Sequence, residues 1–181
     1  MSESTDRPVV LIIDDEPDIV QIMELWLADS YAVRTATSGA AGLDALDPAV
    51  DVVLLDRRMP GISGDDVLRR IRERAEAYQV GLVTATDPDF DLIELDFDTF
   101  VKKPLDESTI IDTVERLLAR TSYDTSVQER YAVAETLALL EEVKTEKELA
   151  TSNRYQELTE RFATLDEVVT TEAAELSRRE L

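Results

Sequence analysis

Short apolar runs alternate with amphipathic stretches through the first two thirds of the chain. Val9 to Ile13 is continuous, Ile19, Val20, Met23 and Leu27 then recur at helical spacing, and Ala32 to Ala36, Ala40 to Leu46 and Val52 to Leu55 carry the alternation on. Unbroken apolar runs suit strands covered on both faces, and stripes at a period of 3.6 suit the helices that cover them. The pattern predicts a βαβαβ order. A fourth strand is predicted at Val80 to Thr84 and a short fifth at Thr99 to Lys102, ahead of Pro104. Five strands alternating with helices imply an α/β fold with a doubly wound, five-stranded parallel sheet. Helix starts are marked locally. Pro17 suits a first turn, Ser63 with Asp66 reads as a capping box, and Asp106 can cap a helix carrying Ile110, Ile111, Val114, Leu117 and Leu118.

The last third reads differently. All five glycines lie at or before Gly81 and all six prolines at or before Pro104, so nothing in the remainder breaks a helix. Val133, Leu137, Leu140 and Val143 form one apolar stripe; Tyr155, Leu158, Phe162, Leu165, Val169 and Leu176 form another, at coiled-coil spacing. The stripes do not join in phase. Thr151, Ser152 and Asn153 lie between them, where Asn153 with Gln156 can cap a second helix. The expectation is an all-α extension, a helical hairpin broken near Thr151 to Asn153 or one long coiled-coil helix pairing between protomers. A division at residues 1–122 and 123–181 follows.

Charge and composition then narrow the chemistry. The 181 residues carry 40 acids against 19 bases, a formal charge of -21, with 44% apolar residues to build a core. Arg outnumbers Lys 15 to 4, and the acidity is spread along the chain. Such even acidity resembles proteins of salt-loving archaea, in which molar salt screens self-repulsion. With no Cys and no His, disulfides, thiolate or imidazole metal sites, Ser-His-Asp nucleophiles and His proton relays are excluded. Met1 to Pro8 has no apolar leader and Val9 to Ile13 is far below a membrane span, so a cytoplasmic protein is expected. Arg69, Arg70, Arg72 and Arg74 interleave with Glu73 and Glu76 and read as a solvated helix face.

In an open parallel sheet, ligands sit beyond the carboxyl ends of the strands. Those ends hold Asp14 and Asp15 after the first strand, Asp56 after the third, Thr84 after the fourth, and Lys102 and Lys103 after the fifth. Three converging carboxylates repel one another unless a cation sits among them, and Mg²⁺, which takes one or two carboxylates plus waters and phosphate oxygens, suits the set. Carboxylate, hydroxyl and ammonium together suit phosphoryl transfer to a carboxylate.

These residues stand in motifs: LIIDDEPD at 11–18, VVLLDRRMPGISG at 52–64, VTA at 83–85 and FVKKPL at 100–105. Over roughly residues 7 to 121 the chain resembles the receiver domain of two-component response regulators. That resemblance implies a flavodoxin-like fold and makes Asp56 the phosphoacceptor. It assigns Asp14, Asp15, Asp56 and the backbone carbonyl of Arg58 to Mg²⁺, and Thr84 and Lys103 to the phosphoryl group. Phe100 becomes the aromatic that follows Thr84. It also implies a cis Lys103-Pro104 bond, and a histidine kinase as phosphodonor. The tail resembles the HalX-type extension that follows receivers in haloarchaea and is tied loosely to transcriptional regulation. Three departures stand out. Arg57 follows Asp56 where an apolar residue is usual, Gly81 should weaken the fourth strand, and the acid-rich stretch Asp87 to Asp98 should leave the fourth helix stunted.

The reading is therefore a response regulator, not an enzyme, that gates a helical output. A homodimer or a protein partner in transcription control is expected, and direct DNA contact stays open on a tail of 14 acids against seven bases. A Mg²⁺-dependent phosphohydrolase working through an aspartyl phosphate is an alternative, yet Arg58 stands where its general acid would be needed. An unphosphorylated dimerisation scaffold is the other.

Overall fold

A computed structural model of the chain describes residues 7–74, 76–121 and 125–179, with side chains as far as Thr170. Five parallel strands, β1 (Val9–Ile13), β2 (Ala32–Ala36), β3 (Val52–Asp56), β4 (Gln79–Thr84) and β5 (Thr99–Lys102), lie in the order β2-β1-β3-β4-β5. The crossovers are α1 (Pro17–Leu27), α2 (Gly39–Ala45), α3 (Gly64–Arg72) and a 3₁₀ helix at Phe90–Glu94, and α4 (Glu107–Arg120) follows β5. Alternate residues of each strand feed opposite faces. Leu11, Ile13, Val53 and Leu55 pack toward α2 and α3 with Val67, Leu68 and Ile71, while Val10, Ile12, Val52 and Leu54 pack with Val20 and Met23 of α1 and Ile110, Val114 and Leu117 of α4. Both faces are covered, which is why the central strands are apolar without alternation.

The expected starts hold. Pro17 opens α1, the Ser63 hydroxyl accepts from Asp66 N at the start of α3, and the Asp106 carboxylate accepts from Thr109 N at 2.9 Å to open α4. The stunted fourth helix is the 3₁₀ helix, capped by Asp89. Gly81, by contrast, does not weaken β4. It pairs with Leu54 and Thr99 in an unbroken ladder, and a Cβ there would stand 3.3 Å from Leu117 of α4, so its bareness lets a helix sit close. Nor are all four arginines of α3 and its C-terminal end solvated. Arg72 donates to the carbonyls of Asp96 and Tyr78 and to Asp98, and Arg74 to those of Leu43 and Leu46, so both tie α3 and the residues after it to neighbouring segments.

The tail is helical and folds back on itself, through three helices rather than two: α5 (Thr125–Val143), α6 (Glu146–Thr151) and α7 (Asn153–Arg179). One break, which the sequence reading did not anticipate, is at Lys144 and Thr145, where Thr145 and Glu148 form a capping box. The second break is at Ser152, whose hydroxyl accepts from Tyr155 N, so Ser152 is the cap and Asn153 the first helical residue. Gln156 reaches back to the Ala150 carbonyl. The two stripes meet: Val133, Leu137 and Leu158 are buried, with Tyr155, Phe162 and Leu165 beside them, joined by Ile93 of the 3₁₀ helix. Val143 is 42% exposed because α5 ends there. Leu176, the boundary at residues 122 and 123, and Met1 to Asp6 fall outside the described residues or side chains. No described helix is long and apolar enough to cross a membrane.

Candidate functional site

The strand ends converge as their positions require. Asp14 follows β1, Asp56 ends β3, and one carboxylate oxygen from each of Asp14, Asp15 and Asp56 lies within 4.8 Å of the others. Asp14 is fully buried and Asp56 is 4% exposed. The turn after β3 makes this possible. Gly61 takes φ +76°, and Gly64 comes so close that a Cβ would stand 2.2 Å from the Asp56 carbonyl oxygen and 2.6 Å from Arg57 Cα. Gly64 N–H donates to the Arg57 carbonyl at 2.9 Å, and Arg58 N–H donates to Asp56 Oδ2 at 2.9 Å, fixing the Asp56 rotamer. The glycines of the motif thus let α3 start hard against the end of β3 that carries Asp56.

Lys103 is the cation of the site. Its ammonium lies 2.8 Å from Asp14, 2.9 Å from Glu16 and 3.2 Å from Asp56. Lys102 pairs instead with Asp87, away from the cluster. The Lys103-Pro104 bond is cis, and Lys103 N–H donates to the Thr84 carbonyl at 2.8 Å. Thr84 is buried, its hydroxyl accepting from Thr86 N–H at 3.2 Å. Phe100 is buried too, against Phe97, with ring centroids 6.4 Å apart.

Burial, and then the charge of Asp14, push the Asp56 carboxyl up to about 6, while Lys103 and Arg58 N–H pull the other way without prevailing. Burial also works against the Lys103 ammonium, yet its bonds to Asp14 and Glu16 and the charges of Asp56 and Asp14 hold its proton more tightly than usual. One lysine does not neutralise this many carboxylates. Asp14 Oδ2, buried, faces the Lys103 ammonium at 2.8 Å and no other donor among the described residues. A hard cation held by Asp14, Asp15 and Asp56 fits both the buried Asp14 oxygen and the mutual repulsion.

Some residues at the site carry no strand-end signal. Glu16 shares the ammonium of Lys103. Arg57 is 3% exposed, its guanidinium held by Asp65 at 2.9 Å and by Asp91 of the 3₁₀ helix. That explains how a charge replaces an apolar residue there: two carboxylates satisfy it, and they hold its proton more tightly than usual despite burial. A polar residue flanked by MPGISG was the available hint of such a partner.

Residues 10–115 match the response regulator receiver domain family and residues 119–181 the HalX domain family. A protein of Haloferax volcanii named as a transcriptional regulator is 46% identical over 134 residues, 74% of this chain and 23% of that one. The response regulator SaeR of Staphylococcus epidermidis is 32% identical over 62% of this chain and 51% of its own length. The chain thus spans about a quarter of the first of these curated relatives and about half of the second. Among solved structures, the response regulator TrrA of Thermotoga maritima, in complex with Mg²⁺ and BeF, superposes with a TM-score of 0.54 at 30% identity, covering 61% of this chain and 99% of that one. The non-phosphorylated HemR receiver domain of Leptospira biflexa shares the fold, with a TM-score of 0.59 at 24% identity over 65% of this chain and 98% of that one. The carboxylate cluster, its lysine and the doubly wound sheet therefore belong to a member of the response regulator receiver family, here followed by a HalX domain.

Proposed function

We propose that this chain is a phosphorylation switch: Asp56 accepts a phosphoryl group from a histidine kinase, and the state of Asp56 is read by the helical tail in transcription control. The observation that carries this is the buried Asp56 carboxylate with Asp14 and Asp15 within 4.8 Å and the Lys103 ammonium at 3.2 Å. In the transfer, an Asp56 oxygen attacks phosphorus, the O–P bond forms, the N–P bond to the kinase imidazole breaks, and its electron pair returns to the ring. Lys103 then faces a phosphoryl oxygen in place of Asp56, and the Thr84 hydroxyl turns to another. Mg²⁺ would be held by Asp14, Asp15, Asp56 and the Arg58 carbonyl, and would neutralise charge on the phosphoryl oxygens. Phe100 lies on β5 between this end of the sheet and the tail, which suits it to report Thr84.

We assign residues 1–122 to the receiver and 123–181 to the HalX-like output, acting in the cytoplasm through a protein partner or a homodimer. A tail charge of -7 (seven bases less 14 acids) weighs against a helix lying along phosphates. No general acid stands two residues after Asp56, so a phosphohydrolase is disfavoured. Incubation of the full chain with acetyl phosphate and Mg²⁺ in molar KCl tests the reading. Incorporation that needs Mg²⁺ and vanishes in Asp56→Asn supports it; incorporation that persists in Asp56→Asn overturns it, and sustained turnover of phosphomonoesters favours the hydrolase.

A further inference from the structure

We propose that Glu135, on α5 of the tail, is a positioning residue for the phosphoacceptor site: by holding the free edge of β5 it sets where Lys103 stands over Asp56. The proposal rests on the reading of Asp56 given above.

β5 is four residues long and lies at the edge of the sheet, with β4 as its single neighbouring strand. Along a strand, successive N–H groups point to opposite sides. Lys103 N–H points inward, donating to Thr84 of β4 at 2.8 Å, so Phe100 N–H, an odd number of residues earlier, turns outward. An outward edge donor needs water or a partner. Glu135 is that partner: its Oε1 accepts from Phe100 N–H at 3.2 Å and from the Thr99 hydroxyl. Its Oε2 lies 3.1 Å from Arg120 at the end of α4, and Arg120 reaches on to the Asp98 carbonyl. With side chains only 19% and 11% exposed, the Glu135 and Arg120 pair is shielded from the screening that empties most surface pairs of value.

The stretch before β5 is gripped likewise. Lys144 and Arg154 of the tail pair with Asp89 and Glu94 at 2.8 and 2.6 Å, while Arg57, beside the phosphoacceptor, holds Asp91 between them. The short strand that delivers Lys103 is therefore placed by β4 on one side and by the tail on the other. Lys103 comes three residues after Phe100, and its distances to Asp14 and Asp56 leave little slack for an edge that drifts. A phosphoryl group needs that ammonium in place; a cation on Asp14, Asp15 and Asp56, which stand at the ends of β1 and β3, does not.

Titration calorimetry on the full chain in molar KCl separates these terms, with Mg²⁺ alone and then with beryllofluoride, a phosphoryl mimic, added at saturating Mg²⁺. Glu135→Ala is expected to weaken beryllofluoride about fivefold to tenfold and to leave Mg²⁺ alone within about twofold. Glu135→Gln, which keeps an oxygen for Phe100 N–H, should recover most of the loss. By reciprocity, beryllofluoride should slow amide exchange at Phe100 in the unmodified chain by a similar factor, a measurement that needs no variant. Unchanged beryllofluoride affinity in Glu135→Ala, or equal losses for Mg²⁺ and beryllofluoride, overturns the proposal, as does exchange at Phe100 that ignores beryllofluoride. If the unmodified chain binds no beryllofluoride at all, the phosphoacceptor reading itself fails.

Discussion

Replacing Asp56 by Asn should make the metal-free protein more stable near pH 7.5. Burial and the neighbouring Asp14 raise the Asp56 carboxyl from 3.8 to about 6, so above that pH the fold holds a carboxylate it would rather hold protonated. A shift of about two units corresponds to about 3 kcal/mol. Lys103 would lose one partner, and molar salt screens part of the repulsion, so a gain of about 1 to 3 kcal/mol is expected, or roughly 2 to 10 °C for a chain of this size. The sign follows from linkage. A carboxyl raised in the folded state binds its proton more tightly there than in the unfolded chain, so its destabilisation is absent below about pH 4, grows between about 4 and 6, and is complete above. Urea denaturation in EDTA at pH 7.5, 6 and 4.5 should therefore show the advantage of Asp56→Asn shrinking as pH falls. Equal or lower stability of the variant at pH 7.5 would refute the claim that the carboxylates are under-neutralised without a cation.

Other outcomes follow from the same geometry. Mg²⁺ should stabilise the unmodified chain by about 1.4 kcal/mol for each tenfold rise beyond its dissociation constant, and Asp15→Asn should move the onset of that rise to much higher Mg²⁺, as read by thermal melts across a Mg²⁺ series. Gly64→Ala drives a Cβ to 2.2 Å from the Asp56 carbonyl oxygen, so it should cost about 1 to 3 kcal/mol and depress phosphate incorporation together with stability. Arg57→Leu strands Asp65 and Asp91, but their side chains are 26% and 49% exposed and can rehydrate. Denaturant midpoints should place its cost at about 1 to 3 kcal/mol, below that of a fully buried pair.

Much of this architecture was legible in the sequence because the signals are local. Apolar runs mark strands covered on both faces, Ser63 and Asp106 mark helix starts, and parallel topology alone carries Asp14, Asp56 and Lys103 to one edge. What was illegible depends on partners distant in the chain. Nothing near Glu135 in sequence announces that it takes the Phe100 amide, and Arg72 and Arg74 resemble any exposed arginines until Asp98 and the Leu43 and Leu46 carbonyls come within reach. Gly81 reads as a weak point by propensity, yet its ladder to Leu54 and Thr99 is unbroken, and the distant Leu117 of α4 lies where a Cβ would crowd it. The tail's additional break at Lys144 and Thr145 was missed for a different reason. Thr145 and Glu148 carry a legible capping box, but the polar cluster at Thr151 to Asn153 is the more conspicuous break, and both are real.

The central claim is that one carboxylate, Asp56, carries the phosphoryl group, and an acyl phosphate is reduced by borohydride whereas a phosphate ester on a hydroxyl is not. The full chain, treated with acetyl phosphate and Mg²⁺ in molar KCl, reduced and sequenced by mass spectrometry, should show homoserine in place of Asp56 and nowhere else, and none when Mg²⁺ is withheld. Homoserine at Asp14, Asp15 or another acid, or phosphate retained on a serine or threonine with Asp56 intact, would contradict the account.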